Sequence, residues 1–94
     1  MAEKTEEIFD ALRGIFSEHS IGQIDEFEIA PEMEVRELFG NDIEKFALAI
    51  THFLMDWEAQ RGQRGYINVP KEELFNHFKF FNDVYVYFCL VLEA

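Results

Sequence analysis

Apolar residues recur at helical spacing near the start of the chain, which predicts a first helix. The residues that form or flank its apolar face are Ile8, Phe9, Leu12, Ile15, Phe16 and His19. Thr5 can accept a hydrogen bond as the N-cap, and acidic residues follow it where the helix dipole favours negative charge. The pattern predicts that this helix ends by Gly22.

A second apolar stripe in the middle of the chain has the clearest period of 3.6 residues and predicts a longer helix. Its members are Ile43, Phe46, Ala47, Ile50, Leu54 and Trp57. Asn41 is the predicted N-cap, and Glu44 stands three residues later, as in a capping box. We expect the helix to end near Ala59, because two glycines and two arginines follow within Gln60–Gly65.

The segment from Ile21 to Gly40 has no sustained period, so we predict a long ordered loop between the first and second helices. Apolar residues along it are expected to anchor the loop to the core: Ile24, Phe27, Ile29, Met33 and Val35. Pro70 suits the first turn of a third, short helix, and two glutamates follow it.

The C-terminal segment from Val84 to Leu92 is rich in β-branched and aromatic residues, which by propensity favours a strand. A strand needs a partner, and no other segment offers one. We therefore predict a fourth helix, capped by Asn82 or Asp83, whose inner face carries Val84, Phe88, Val91 and Leu92. The predicted fold is all-α, a four-helix bundle formed by a single domain spanning residues 1–94.

The chain carries a formal charge of −11, from 19 acidic residues and eight Lys and Arg. Eight of the acids and a single base, Arg36, lie between Asp25 and Glu44, so the charge is concentrated. Such a surface repels nucleic acids and anionic membranes and favours a basic protein partner. The plainer alternative is that the charge serves solubility alone.

The sequence offers little catalytic or metal-binding chemistry. His19, His52 and His77 share no ligand-like spacing with one another or with Cys89, and no phosphate-binding loop or nucleophile motif occurs. We expect no enzymatic activity, no metal and no cofactor. Cys89 is expected to be an inert core thiol, and a lone cysteine without a signal peptide favours the cytoplasm.

The order of several short motifs resembles that of acyl carrier proteins. These are the Ile-Ala-Pro-Glu stretch at 29–32, the Leu-Phe-Gly-Asn-Asp-Ile stretch at 38–43, the segment Ile67–Leu74 and the segment Phe81–Tyr85. The resemblance spans roughly Thr5 to Glu93. It implies a first helix, a long anchored loop, a second helix, a short third helix and a fourth helix.

One departure from the family changes the expected function. In acyl carrier proteins a serine at the start of helix two receives 4′-phosphopantetheine. The matching position here is Asp42 or Ile43, no serine follows Ser20, and Thr51 is the only hydroxyl nearby. The resemblance therefore implies a carrier fold without its prosthetic group. A run of rings is further expected to fill the family's acyl cavity, namely Phe75, Phe78, Phe80 and Phe81.

Carriers present acidic residues of helix two to basic patches on enzymes, and that surface can survive the loss of the serine. The candidate partner-binding residues are Glu37, Asp42, Glu44, Asp56 and Glu58. We expect a bacterial, non-enzymatic interaction domain that binds a basic protein. The alternatives are an acidic inhibitor, such as an immunity protein or nucleic-acid mimic, and a carrier modified at an unconventional residue. Asp42 and Glu44 can also simply stabilise a helix N-terminus.

Overall fold

The computed structural model describes residues 4–92, and over this range the chain is all-helical, as predicted. Its α-helices are α1 (Lys4–His19), α2 (Val35–Leu38), α3 (Ile43–Arg61), α4 (Leu74–His77) and α5 (Phe81–Val91). Single 3₁₀ turns lie at Ile21–Gln23, Glu26–Glu28 and Lys71–Glu73. Within the described range no helix is both long and apolar enough to cross a membrane. Glu93, where the family resemblance ends, lies outside this range.

The four predicted helices correspond to α1, α3, α4 and α5. The segment Val84–Leu92 is helical to Val91, so the strand alternative is wrong. The third helix begins with a 3₁₀ turn directly after Pro70 and continues as α4. Only α2, a single turn, has no counterpart in the prediction.

Helices α1 and α3 form the main packing contact, and α5 also packs against α1. The predicted inner face of α1 is buried except for His19 at its end and the flanking Phe9, which are half-buried. The buried residues of α3 are Phe46, Ala49, Ile50, Phe53 and Trp57. The predicted stripe therefore missed Ala49 and Phe53, because α3 is covered on more than one side: α4 also contacts it, and the Phe53 ring lies 5.0 Å from that of Phe88 in α5.

Phenylalanine rings form the centre of the core. The Phe16 ring of α1 makes edge contacts with Phe39, Phe46 and Phe81, at centroid distances of 5.2, 6.0 and 5.3 Å. All four rings are fully buried. Edge-to-face pairs of this kind add to the stabilisation from burial alone, so Phe16 connects α1 to three other parts of the chain.

The segment between α1 and α3 differs from the long loop that was predicted. Two 3₁₀ turns and α2 interrupt it. Ile29 and Val35 are buried and anchor the segment as expected, whereas the side chain of Phe27 is 76% exposed. The Phe27 ring instead lies under the guanidinium of Arg13, 5.4 Å from its centroid, so its prediction as a core anchor was wrong.

The turn into α3 also differs from the prediction. Gly40 and Asn41 both adopt positive φ angles, +59° and +62°. Glycine adopts this conformation without strain, and asparagine adopts it more often than most other residues do. Asn41 is therefore used in the turn and not as the N-cap. Asp42 is the N-cap, and its carboxylate accepts from the backbone amides of Glu44 and Lys45 at 3.0 and 3.4 Å.

Replacing Asp42 with alanine is expected to lower the free energy of unfolding by about 0.5–2 kcal/mol, because two amides at the start of α3 lose their acceptor. Asp42→Asn keeps an acceptor oxygen and should cost less. Urea unfolding monitored by circular dichroism measures both. Equal stability of the alanine variant and the native chain would contradict this assignment of the cap.

The two long helices in the second half of the chain have defined ends. Helix α3 runs two residues beyond the predicted Ala59 to Arg61, and Gly62 closes it with φ +66°. Helix α5 begins at Phe81, before the predicted caps. Asp83 nevertheless stabilises the start of α5, since its carboxylate accepts hydrogen bonds from the backbone amides of Lys79 and Phe80 at 3.1 and 2.9 Å.

Candidate protein-binding face

Helix α3 has a solvent-exposed stripe on the side away from the core. Residues spaced by four, three, four and three positions lie along it: Glu44, Leu48, Thr51, Met55 and Glu58. We call these residues the α3 outer stripe. From Glu44 to Glu58 the backbone rises about 21 Å at 1.5 Å per residue. All five residues are exposed, so the stripe is continuous along almost the whole helix.

Two large apolar side chains occupy the middle of the α3 outer stripe. Leu48 is 59% exposed and Met55 is 65% exposed. Helix α3 is therefore apolar on its inner face and partly apolar on its outer face. Single exposed apolar residues are common on proteins, but here two lie on one rigid helix with an acid beyond each of them.

The two acids of the stripe differ in their electrostatic environment. The Glu44 carboxylate accepts from Lys71 Nζ at 2.5 Å, and this hydrogen bond raises the pKa of the Lys71 ammonium. Within residues 4–92, Glu58 makes no ion pair. Both groups are exposed, so the Glu44–Lys71 pair contributes little to stability and can be exchanged for a contact with another molecule.

The structure brings together only two of the five predicted partner-binding residues on this stripe, Glu44 and Glu58. Asp42 is exposed but is engaged as the α3 cap. Asp56 is half-buried on the flank of α3 and accepts from the Gln60 amide at 3.1 and 3.2 Å. Glu37 lies on α2, outside the stripe.

Glu37 belongs to a groove of about 480 Å³ between α2 and α4. Its lining is mixed in polarity and comprises Glu34, Arg36, Glu37, Asn41, Phe75, Asn76, Phe78 and Lys79. The guanidinium of Arg36 lies 5.3 Å from the centroid of the Phe75 ring. Two acids and two bases line the groove, so it is less one-sided in charge than the sequence from Asp25 to Glu44.

Neither position that the resemblance would align with the carrier serine carries a hydroxyl group. The Asp42 carboxylate is held by backbone amides, and Ile43 is a half-buried aliphatic residue. The Thr51 hydroxyl is exposed in the middle of the α3 outer stripe and donates to the Ala47 carbonyl at 3.0 Å.

The run of rings predicted to fill an acyl cavity is divided between core and surface. Phe78 and Phe81 are buried. Phe75 is half-buried and stacks on Phe46 at 5.5 Å, while Phe80 is partly exposed. Two of the four rings thus lie entirely within the core, and the other two are partly exposed to solvent.

The cysteine and histidines are arranged as follows. Cys89 is half-buried, and burial raises the pKa of its thiol, which fits the expected inert residue.

The rings of His19 and His52 meet between α1 and α3, whereas His77 packs against Phe78. Sequence spacing did not reveal the pair, because 33 positions separate the two residues and only the packing of α1 on α3 joins them.

The sequence contains a signal for the α3 outer stripe in the positions of its apolar residues. Once the inner face of α3 is assigned, Leu48 and Met55 fall on the opposite side, where polar residues are expected.

Comparison of the chain with protein-family models, with curated proteins and with solved structures finds no match.

Proposed function

We propose that this chain is a non-enzymatic, acyl-carrier-like interaction domain of the cytoplasm that lacks a prosthetic group. It binds a basic protein partner through the α3 outer stripe. One observation carries the proposal: Leu48 and Met55 are exposed on a helix whose outer face also presents Glu44 and Glu58.

The composition of the stripe suits a protein partner. When a partner removes exposed apolar side chains from water, the complex is stabilised by about 25 cal/mol per Å² of apolar surface buried. The flanking carboxylates would steer a positively charged surface toward the helix and set its orientation. A net charge of −11 extends this attraction beyond the contact itself.

Site-specific photo-crosslinking in extracts of the native host tests the location of the face. A photoreactive phenylalanine analogue replaces Thr51 in the middle of the stripe, and the control places it at Tyr66, which is also exposed but lies between α3 and α4. We expect the Thr51 probe alone to capture a defined protein with a basic surface. Capture of the same proteins from both positions, or from neither, would refute the proposed face.

The acidic-inhibitor alternative has its own support, because six acids between Asp25 and Glu44 are exposed: Asp25, Glu28, Glu32, Glu37, Asp42 and Glu44. A nucleic-acid mimic would compete with DNA for a basic nuclease, with steep salt dependence. It would not need the apolar residues of α3. Competition that survives Leu48→Ser with Met55→Ser would favour the mimic over the proposed function.

The absence of a prosthetic group is tested by intact mass after incubation with coenzyme A and a phosphopantetheinyl transferase. We expect no change in mass, because the Asp42 and Ile43 side chains carry no hydroxyl. A gain of one phosphopantetheine would make the chain a working carrier. Thr51 would then be the first residue to examine, since its hydroxyl is exposed.

A further inference from the structure

The strongest unassigned cluster lies where the end of α1 meets the middle of α3. His19 is the last residue of α1, and its Nε2 atom is 3.0 Å from Nδ1 of His52 in α3. The carboxylate of Glu18 approaches the same His52 nitrogen at 3.8 Å. Potential ligand atoms of the three residues all lie within 4.8 Å of one another.

We propose that Glu18, His19 and His52 form a binding site for a divalent transition-metal ion of the zinc class, including Ni²⁺ and Cu²⁺. Two imidazole nitrogens and one carboxylate oxygen are a ligand set that these ions accept. The site is independent of the proposed partner-binding function.

The spacing of the two rings fits shared coordination. Zinc–nitrogen bonds are roughly 2.0–2.1 Å long, so two nitrogens on one ion at bond angles of roughly 90–110° stand about 2.9–3.4 Å apart. The observed 3.0 Å lies in this range. The same distance also allows one ring N–H to donate to the other ring. For metal binding, the donating ring carries its proton on its other nitrogen, so that both facing nitrogens can bind one cation.

The surroundings of the pair favour a cation that can reach it from solvent. Both histidines are half-buried, so packing restricts them, while Glu18 is exposed and free to adjust by the small movement that coordination needs. Three protein ligands leave at least one coordination position for water, the pattern of an open site.

Binding would also join two helices. His19 and His52 come from α1 and α3, the pair with the most extensive packing in the fold. An ion that binds only the folded chain stabilises it in proportion to the logarithm of its concentration over its Kd. At a metal concentration about a hundred times the Kd, the melting temperature should rise by roughly 10 °C or more.

The test is a calorimetric titration of the tag-free chain with Zn²⁺ at neutral pH, in a buffer that does not bind metal. We expect one site. His19→Gln and His52→Gln should each weaken binding by about 10-fold or more and reduce the thermal shift at the same metal concentration by about half or more, while Glu18→Gln should have a smaller effect. His77→Gln is the matched control, because His77 lies outside the cluster, and it should bind as the native chain does.

A measurement on the native chain covers the case in which a variant fails to fold. In NMR spectra of the histidine ring resonances, Zn²⁺ should shift the signals of His19 and His52 and leave those of His77 unchanged. The proposal is overturned if all three histidines respond alike, if none responds, or if His52→Gln binds Zn²⁺ as tightly as His77→Gln.

Discussion

Replacing Phe16 with alanine should lower the free energy of unfolding by about 3–5 kcal/mol, the largest effect expected from any single substitution discussed. The ring is fully buried and contacts three other buried rings at centroid distances of 5.2–6.0 Å. Its removal leaves a cavity that rigid aromatic neighbours cannot readily fill. Loss of this size is a large fraction of the stability of a small domain, so the variant should be close to unfolding.

Phe27→Ala is the matched control, because it removes the same ring from a side chain that is 76% exposed. Phe27→Ala should change the free energy of unfolding by no more than about 0.5 kcal/mol beyond the loss of the contact with Arg13. Urea unfolding curves followed by circular dichroism measure both variants. Comparable destabilisation by the two substitutions would contradict the assignment of Phe16 to the centre of the core and of Phe27 to the surface.

Replacing Asp83 with alanine should have the next largest effect, about 1–3 kcal/mol. Its carboxylate accepts from the backbone amides of both Lys79 and Phe80, and it stands in the first turn of α5. The same short segment pairs with the residues before α2. The Val35 amide donates to the Lys79 carbonyl at 2.9 Å, and the Phe81 amide donates to the Met33 carbonyl at 2.8 Å.

Loss of the Asp83 carboxylate should therefore loosen two parts of the chain together. Hydrogen exchange at the amides of Val35 and Phe81 should accelerate along with the drop in stability. Asn82→Ala is the control, since the exposed Asn82 contributes its backbone amide, and not its side chain, to this pairing. An Asp83→Ala variant as stable as Asn82→Ala would show that these two hydrogen bonds contribute nothing measurable.

Local periodicity was sufficient to predict α1 and α3, the two longest helices of the described chain. The stripes of α1 and α3 each repeat over several turns, so burial of one face determines their conformation. The segment before Leu92 shows the limit of propensity: its β-branched residues are helical because the core accepts Val84 and Phe88 on one helical face.

The features that were missed depend on contacts between distant residues. A single turn such as α2 has too few hydrogen bonds to form alone, and its position is set by pairing of Val35 with Lys79. The cap of α3 moved from Asn41 to Asp42 because a left-handed turn precedes it. The His19–His52 pair likewise exists only because α1 packs against α3.

The candidate binding face was predicted in part. The carrier resemblance and the charge pattern pointed to Glu44 and Glu58, which are exposed on one helix. They also pointed to Asp42 and Asp56, which make hydrogen bonds within α3. The exposed Leu48 and Met55 became evident only when the inner face of α3 was known. A list of acids cannot show which of them lie beside exposed apolar side chains.

The most direct measurement of the proposed binding face is the affinity of the partner captured at Thr51 for three forms of the chain. The first is the native chain, the second carries Leu48→Ser, Met55→Ser and Glu58→Lys, and the third carries Glu6→Lys and Asp10→Lys on the exposed side of α1. Glu44 and Asp42 are left intact in all three, because one is paired with Lys71 and the other caps α3.

We predict that the α3 variant loses at least about 100-fold in affinity, equivalent to about 2.7 kcal/mol, while its unfolding curve stays close to that of the native chain. The α1 variant changes the net charge by a larger amount and should lose affinity only modestly, through weaker long-range attraction. Equal affinity of the native chain and the α3 variant, or a greater loss in the α1 variant, would contradict the proposed role of the α3 outer stripe.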